Sequence, residues 1–341
     1  MPRLTDIAKS MGLSTATISN AFTGKGRMRS ETRQAIIEQA EALGYRHRTR
    51  GKSKAKKQFI IITEAFRPFG ARMLEGAQQY AHERGLTLPV YALPRDESLP
   101  FYKMETDTLN KQIHKILQGL ETPPDGLLYI CEYARTLEGL LTDVPFPVVP
   151  VFCTREKEKP AVQYDDQQGA HLAVRHLIET GRKQIAMISG PINSIGMFYR
   201  TSGYQRALVD SGLPYDPSFT RIGNWNRESG YSLTLALLAE HEKIDGIFAQ
   251  NDLMAIGAVD AILQSGLRVP EDIAVIGFDN TPSAALHAPA LTSIAPPFEE
   301  MGRAGLQMLL QLADGESPES QSLPCSLIKR ESTGGTFEPL K

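Results

Sequence analysis

Apolar positions recur along this 341-residue chain in two rhythms. In the first 45 residues the rhythm is helical. Ile7, Ala8 and Met11 fall on one face of a helix that begins at Thr5. Gly12 can take a positive φ and stop it. Ser14 is a good N-cap for a second helix over 15–21, with Ile18 inward. Ser30 caps a third helix through Leu43, ended by Gly44, with Ile36, Ile37, Ala40 and Leu43 as its packing face. A small residue at Ala8, a turn glycine at Gly12 and a core aliphatic at Ile18 fit a helix-turn-helix.

From residue 58 short β-rich runs alternate with amphipathic stretches. The pattern predicts strands over 59–63, 87–91, 126–130 and 148–152, and a helix over 71–85 with Met73, Leu74, Ala77 and Ala81 inward. A second series predicts helices over 169–180, 202–211, 229–240 and 253–265. Strands over 184–189, 220–222, 246–249 and 273–278 lie between them. Repeated βα units imply parallel sheets covered by helices. Two such series imply two Rossmann-like lobes, with a ligand between them at the carboxyl ends of the strands. The expected fold class is therefore α/β, with a three-helix head and a two-lobed body.

Charge divides the chain at the same place. Residues 1–57 carry 13 Lys or Arg against 4 Asp or Glu, and the other 284 carry 24 against 35. A basic head on an acidic body points to a head that meets a polyanion. No apolar run is long enough to span a membrane. The N-terminus lacks the apolar core of a signal peptide, so a cytoplasmic protein is expected. Cys131, Cys153 and Cys325 are far apart in apolar runs and read as buried reduced thiols, without a disulfide or metal cluster. GxSxG, a P-loop and metal-spaced His or Cys groups are missing. An enzyme, a resident cofactor and a metal are not expected.

In the head, the second helix would enter the major groove, with Thr15, Ala16 and Asn20 at base edges. Thr5, Ser14, Thr17, Ser19, Lys25, Arg27 and Arg29 complete the DNA-facing set, the last six placed for phosphates. In the body, Phe69, Arg200, Trp225, Asn251, Asp252, Asp279 and Asn280 all follow strands. With Phe298 they combine aromatic faces for C–H groups and polar groups for hydroxyls, which suits a sugar, with a nucleobase or nucleoside as rival. Arg67 and Arg200 would also tolerate a sugar phosphate. Asp165 and Asp166 read as braces for the helix near Gly169, and Gln168 as a weaker contact.

The run LTDIAKSMGLSTATISNAFTGKG…SETRQAIIEQAEALGY resembles the DNA-binding head of the LacI/GalR family of bacterial transcription regulators. GAHLAVRHLIETGRKQIAMISGP, FAQNDLMAIGAVDAILQSGLRVPEDIAVIGFDNTP, LTSIAPPFEEMG and LIKREST carry the resemblance through the body. It implies a sensor like periplasmic sugar-binding proteins, whose chain crosses between lobes three times, expected here near 161, 292 and 323. The divisions are then 1–45 for the head, 46–57 for a linker, 58–160 with 292–322 for one lobe, and 161–291 with 323–341 for the other. By resemblance Arg200, Trp225, Asn251 and Asp279 align with effector-contacting positions, and Phe298 with a further pocket aromatic. The implied function is repression of carbohydrate-utilisation genes by a homodimer on a near-palindromic double-stranded operator, with a sugar-like effector between the lobes. Helices at 70–79 and 255–265 are the expected dimer faces.

The linker departs from the family. RHRTRGKSKAKK holds seven basic residues and lacks the usual Pro-Asn and the leucine that wedges into the minor groove. DNA bent less sharply than by relatives with that leucine is expected.

Overall fold

The computed structural model describes residues 4–23, 28, 30–42, 57–64, 68–94, 104–155 and 159–335. Lys25, Arg27, Arg29, Arg67 and the linker up to residue 56 lie outside that set. The chain forms two compact units, 1–57 and 58–341.

The first unit holds α1 (Leu4–Ser10), α2 (Thr15–Thr23) and α3 (Ser30–Ala42). Gly12 takes φ +64° in the turn between α1 and α2. Ile18 and Ala40 are fully buried, with Ala8, Ala21 and Ile36 around them. Ile37, expected on the packing face, is only half-buried.

The second unit begins with β1 (Phe59–Thr63), α4 (Pro68–Glu83), β2 (Val90–Ala92), α5 (Thr106–Gln118), β3 (Gly126–Ile130), β4 (Val148–Val151) and β5 (Val162–Tyr164). It continues through α6 (Asp166–Glu179), β6 (Ile185–Ser189), α7 (Ile195–Asp210), β7 (Thr220–Ile222), α8 (Arg227–Glu240), β8 (Gly246–Ala249), α9 (Asp252–Gln264) and β9 (Ala274–Phe278). It ends with α10 (Pro282–Leu286), β10 (Thr292–Ala295), α11 (Phe298–Ala313), β11 (Gln321–Leu323) and β12 (Ser326–Ile328).

Two six-stranded sheets result, ordered β2-β1-β3-β4-β5-β11 and β7-β6-β8-β9-β10-β12. Every pairing is parallel except that of β10 with β12. Strands buried on both faces explain the near-continuous apolar runs, such as FIIIT and IAMIS. α4 lies against α11 so closely that a Cβ on Gly302 would fall 1.7 Å from the Met73 carbonyl. Among the described residues no helix is long and apolar enough to cross a membrane.

Three expectations need correction. The crossings fall at Asp165, at 296–297 and at 324–325, because β5 and Leu323 belong to the first sheet and β10 to the second. A crossing can come only after a strand has completed its ladder, which places each one later than 161, 292 and 323. Helix α7 starts at Ile195 rather than 202. Its first turns expose Ile195, Phe198 and Tyr199, which breaks the amphipathic period, while the Ser194 side chain accepts from Met197 N–H. Lastly, Cys131 and Cys153 form a disulfide with Cα atoms 6.0 Å apart. They are distant in sequence, but each lies just beyond the end of a neighbouring parallel strand, β3 or β4. Cys325 remains a buried free thiol, as expected.

Candidate functional site

In the head, Ser14 acts as the N-cap of α2: its hydroxyl accepts from Thr17 N–H at 3.0 Å and bonds the Thr17 hydroxyl at 2.7 Å. Thr15 and Ala16 are exposed in the first turn of α2, Thr5 is exposed on α1, and Ser19 and Asn20 are half-buried. The side chains named for base edges therefore stand on one short helix whose core-facing residues are Ile18 and Ala21.

In the body, the sheet order turns back between β1 and β3 and again between β6 and β8, the switch points where open α/β sheets bind ligands. Arg200, on α7, is buried at the carboxyl end of the second sheet. Its Nε donates to Asp166 Oδ1 at 2.7 Å, its Nη2 donates to Tyr164 Oη at 2.8 Å, and its Nη1 donates to the Gln250 carbonyl. Asp279 lies 3.6 Å from the same guanidinium. The Phe278 ring sits 3.8 Å under it, and the Trp225 ring lies 5.7 Å away. One cation, on α7, thus joins residues of α6, β5, β9 and three loops.

Burial opposes the Arg200 charge, but Tyr164, Asp166 and Asp279 outweigh it and hold its pKa above the ordinary value. Burial lifts Asp279 to about 8; Arg200 opposes the rise, and Asp252 and Asp166 add to it. Burial also raises Asp166, against the pull of Arg200. Asp279 and Trp225 adopt positive φ, 104° and 71°, a sparsely populated conformation that tends to cluster at functional positions. Among the described residues no hydrogen bond reaches the Asp279 carboxylate; Arg200 at 3.6 Å is its nearest partner. The Trp225 ring lies against Gly190, where a Cβ would fall 1.9 Å from the ring.

The other predicted residues are differently employed. Asn251 caps α9, accepting from Met254 N–H at 2.9 Å, and its amide donates to the Trp225 carbonyl at 2.9 Å. It holds Trp225 in place. Asp252 is buried and accepts from Ser293 and twice from Thr281; burial first of all lifts its pKa to about 6. Asn280 accepts from Arg330 at 2.7 Å. Gln168 bonds the Cys325 backbone through both amide atoms. Asp165 does cap α6, but Asp166 is drawn to Arg200 instead.

Phe69 and Phe298 stack at 4.8 Å, in the first lobe. Phe298 is fully buried, edge-on to Phe152 and Tyr164. Phe152, Tyr164, Asp165, Asp166, Ile195 and Tyr199 contribute to the lining of a cavity of about 230 Å³ between the lobes. Sequence reasoning missed Tyr164, Asp166 and Gln250 as members of the constellation. Their position directly at strand ends was the available signal. Among the described residues there is no group of His, Cys, Asp or Glu able to hold a metal.

Residues 174–333 match the periplasmic binding protein-like domain family. The chain is 30% identical over 321 residues to the HTH-type transcriptional repressor PurR of Aliivibrio fischeri, covering 91% of each. It is 30% identical over 339 residues to catabolite control protein A of Priestia megaterium, covering 96% of this chain and 98% of that one. Its structure resembles the transcriptional regulator CelR in complex with cellobiose, at TM-score 0.65 and 26% identity, over 97% of this chain and all of that one. It equally resembles the lac repressor dimer bound to operator and the anti-inducer ONPF, at TM-score 0.65 and 25% identity, over 97% and 99%. The chain belongs to the LacI/GalR family and is a ligand-responsive, DNA-binding transcriptional repressor.

Proposed function

We propose that this repressor acts in the cytoplasm as a homodimer on a near-palindromic operator controlling carbohydrate use, and that an uncharged, hydroxyl-bearing ring held beside Trp225 sets its affinity for DNA. Thr15, Ala16 and Asn20 read base edges, and Thr5, Ser14, Thr17, Ser19, Lys25, Arg27 and Arg29 complete the DNA contact. The observation that carries the effector reading is Asp279: a buried carboxyl group to which no described residue donates a hydrogen bond, 3.6 Å from Arg200, whose guanidinium in turn lies 5.7 Å from the Trp225 ring. A ligand hydroxyl supplies the missing donor, and a sugar ring offers C–H groups to Trp225. Arg200 is already matched by Asp166 and Asp279, so it offers little to a phosphate, and a sugar phosphate is disfavoured. CelR, one structural relative, is described with cellobiose, which supports a sugar.

Asn251 and Phe298 serve as supports rather than direct contacts, and Phe69 reaches the ligand only through its exposed edge. A second reading, a nucleobase, rests on the same pairing of a flat ring with an acceptor for N–H. Leu253, Leu263 and Leu286 stay exposed beside the buried face of α9 and form the natural dimer contact there.

Trp225 is the only tryptophan, so its emission reads the cleft. Titrating the full-length chain with cellobiose, glucose 6-phosphate and hypoxanthine tests the reading. Saturable change with the neutral sugar alone supports it. Change with hypoxanthine alone selects the second reading, and response to the phosphate alone refutes the argument from Arg200. Selection of genomic fragments by the same protein then recovers the operator and names the genes.

A further inference from the structure

The switch point of the first sheet carries a cluster that the effector reading does not use. Glu64 directly follows β1, and Cys131 directly follows β3. The Glu64 side chain is closed to solvent. It accepts from Tyr129 Oη at 2.8 Å and from Glu132 N–H at 3.0 Å, and it pairs with Arg135. The Cys131 sulfur lies 3.6 Å from the same carboxylate, and it is also joined to Cys153. These two relations belong to different states of one sulfur. A thiol has a proton to donate to Glu64; a disulfide has none.

Both states are compatible with the backbone. The segments after β3 and β4 run side by side, with Cys131 N–H donating to Val151 O, Thr154 N–H to Arg135 O and Leu137 N–H to Thr154 O. That backbone pairing holds the two segments together without help from a bond between the sulfurs. A DNA-binding protein works where thiols are kept reduced, and disulfides formed there are usually transient.

We propose that Cys131 and Cys153 form a reversible thiol–disulfide modification site, exchanging with low-molecular-weight disulfides such as glutathione disulfide, and that its state sets the aromatic wall of the cleft. One thiolate attacks the small disulfide and expels one thiolate of that reagent. The second cysteine thiolate then displaces the other, so two protein thiols and one RS–SR become one protein disulfide and two RSH. Both sulfurs are buried, so exchange waits on local opening of the strand ends and is slow.

The coupling to the cleft runs by two short routes. Cys153 follows Phe152, a non-glycine residue at φ +68° whose ring packs on Tyr164 and Phe298. Bonding Cys153 to Cys131 fixes that strained residue, and releasing it lets Phe152 relax. Tyr164 in turn accepts from Arg200, which faces Trp225. On the other side, Glu64 opens the connection from β1 to α4, on which Phe69 stacks against Phe298. Loss or gain of the Cys131 proton changes the bonding of that carboxylate.

The test uses the full-length chain equilibrated in glutathione buffers from reducing to oxidising, quenched with acid, unfolded and assayed for thiols and intact mass. Three thiols are expected at the reducing end and one, Cys325, at the oxidising end, with loss of two hydrogens and no added glutathione. Trp225 emission should shift with the same midpoint and return on reduction. Cys131→Ser and Cys153→Ser should each abolish the intramolecular bond and the shift, while Cys325→Ala keeps both. Three thiols at every ratio, a glutathione adduct alone, or one thiol persisting in excess dithiothreitol overturns the modification site. A thiol transition without movement of Trp225 overturns its control of the cleft. None of these readouts depends on the effector or the operator.

Discussion

The two lobes approach their shared cleft with opposite chemistry. The second lobe contributes a buried cation, Arg200, flanked by its own Asp166 and Asp279, and reaching across to Tyr164 of the first lobe. The first contributes packed rings, Phe69 stacked on Phe298 and Phe152 edge-on to it, that also pack into its own core. The polar side depends on compensation of buried charges, so removing its one cation harms the acids around it. The aromatic side depends on volume. The difference teaches that one half of the cleft is tuned by charge and pH, and the other by packing.

The sharpest way to break the comparison is Arg200→Ala. It removes the cation that lowers the pKa of both Asp166 and Asp279, leaving two buried acids without a counter-charge, and a loss of about 4 kcal/mol is expected in urea unfolding of the body at pH 8. That loss should be smaller at low pH, where both acids take protons. Phe298→Ala opens a cavity in the first lobe and should cost roughly 3 kcal/mol, with no pH dependence. If both variants showed the same pH profile, the division into a charged and a packed half would be wrong.

Asp279→Asn sharpens the contrast in the other direction. Asp279 has a pKa raised from 3.8 to about 8. The folded chain therefore keeps a proton that the unfolded chain releases, and Asp279 makes stability fall as pH rises from about 4 to about 8. The Asn variant should lose that component and be more stable than the parent at pH 8, by up to about 5 kcal/mol, with little difference at pH 4. Parallel melting curves at pH 4 and pH 8 read it directly. The smallest effect belongs to the head: Ser14→Ala removes the cap of α2 and should cost about 1 kcal/mol, seen as faster amide exchange in 15–23 with the body unaffected.

Local patterning made much of this legible. Gly12 and Ser14 marked the turn of the head, and apolar runs such as FIIIT marked strands that carry no surface alternation. Residues just past strand ends, such as Trp225 and Asp279, could be named because a parallel sheet offers its carboxyl edge to a ligand, whereas Arg200 reaches that edge from the second turn of α7. What stayed hidden depended on long-range pairing. Nothing near Asp166 reveals that it will meet Arg200 rather than brace its own helix. Cys131 and Cys153 become neighbours only when β3 and β4 pair. α7 was cut short because its first turn serves the cleft and exposes apolar side chains, which hides the helical period.

The three crossings between the lobes are very short. One residue separates β5 from α6, and two each separate β10 from α11 and β11 from β12. Peptide of that length spans less than about 10 Å even fully extended. Gln168 further clasps the third crossing by binding Cys325 through both amide atoms. Three short tethers at one edge leave the halves free to swing but not to glide. The quantity such a joint can transmit is an angle, so a small ligand at the cleft is converted into rotation, and its message grows with distance from the pivot.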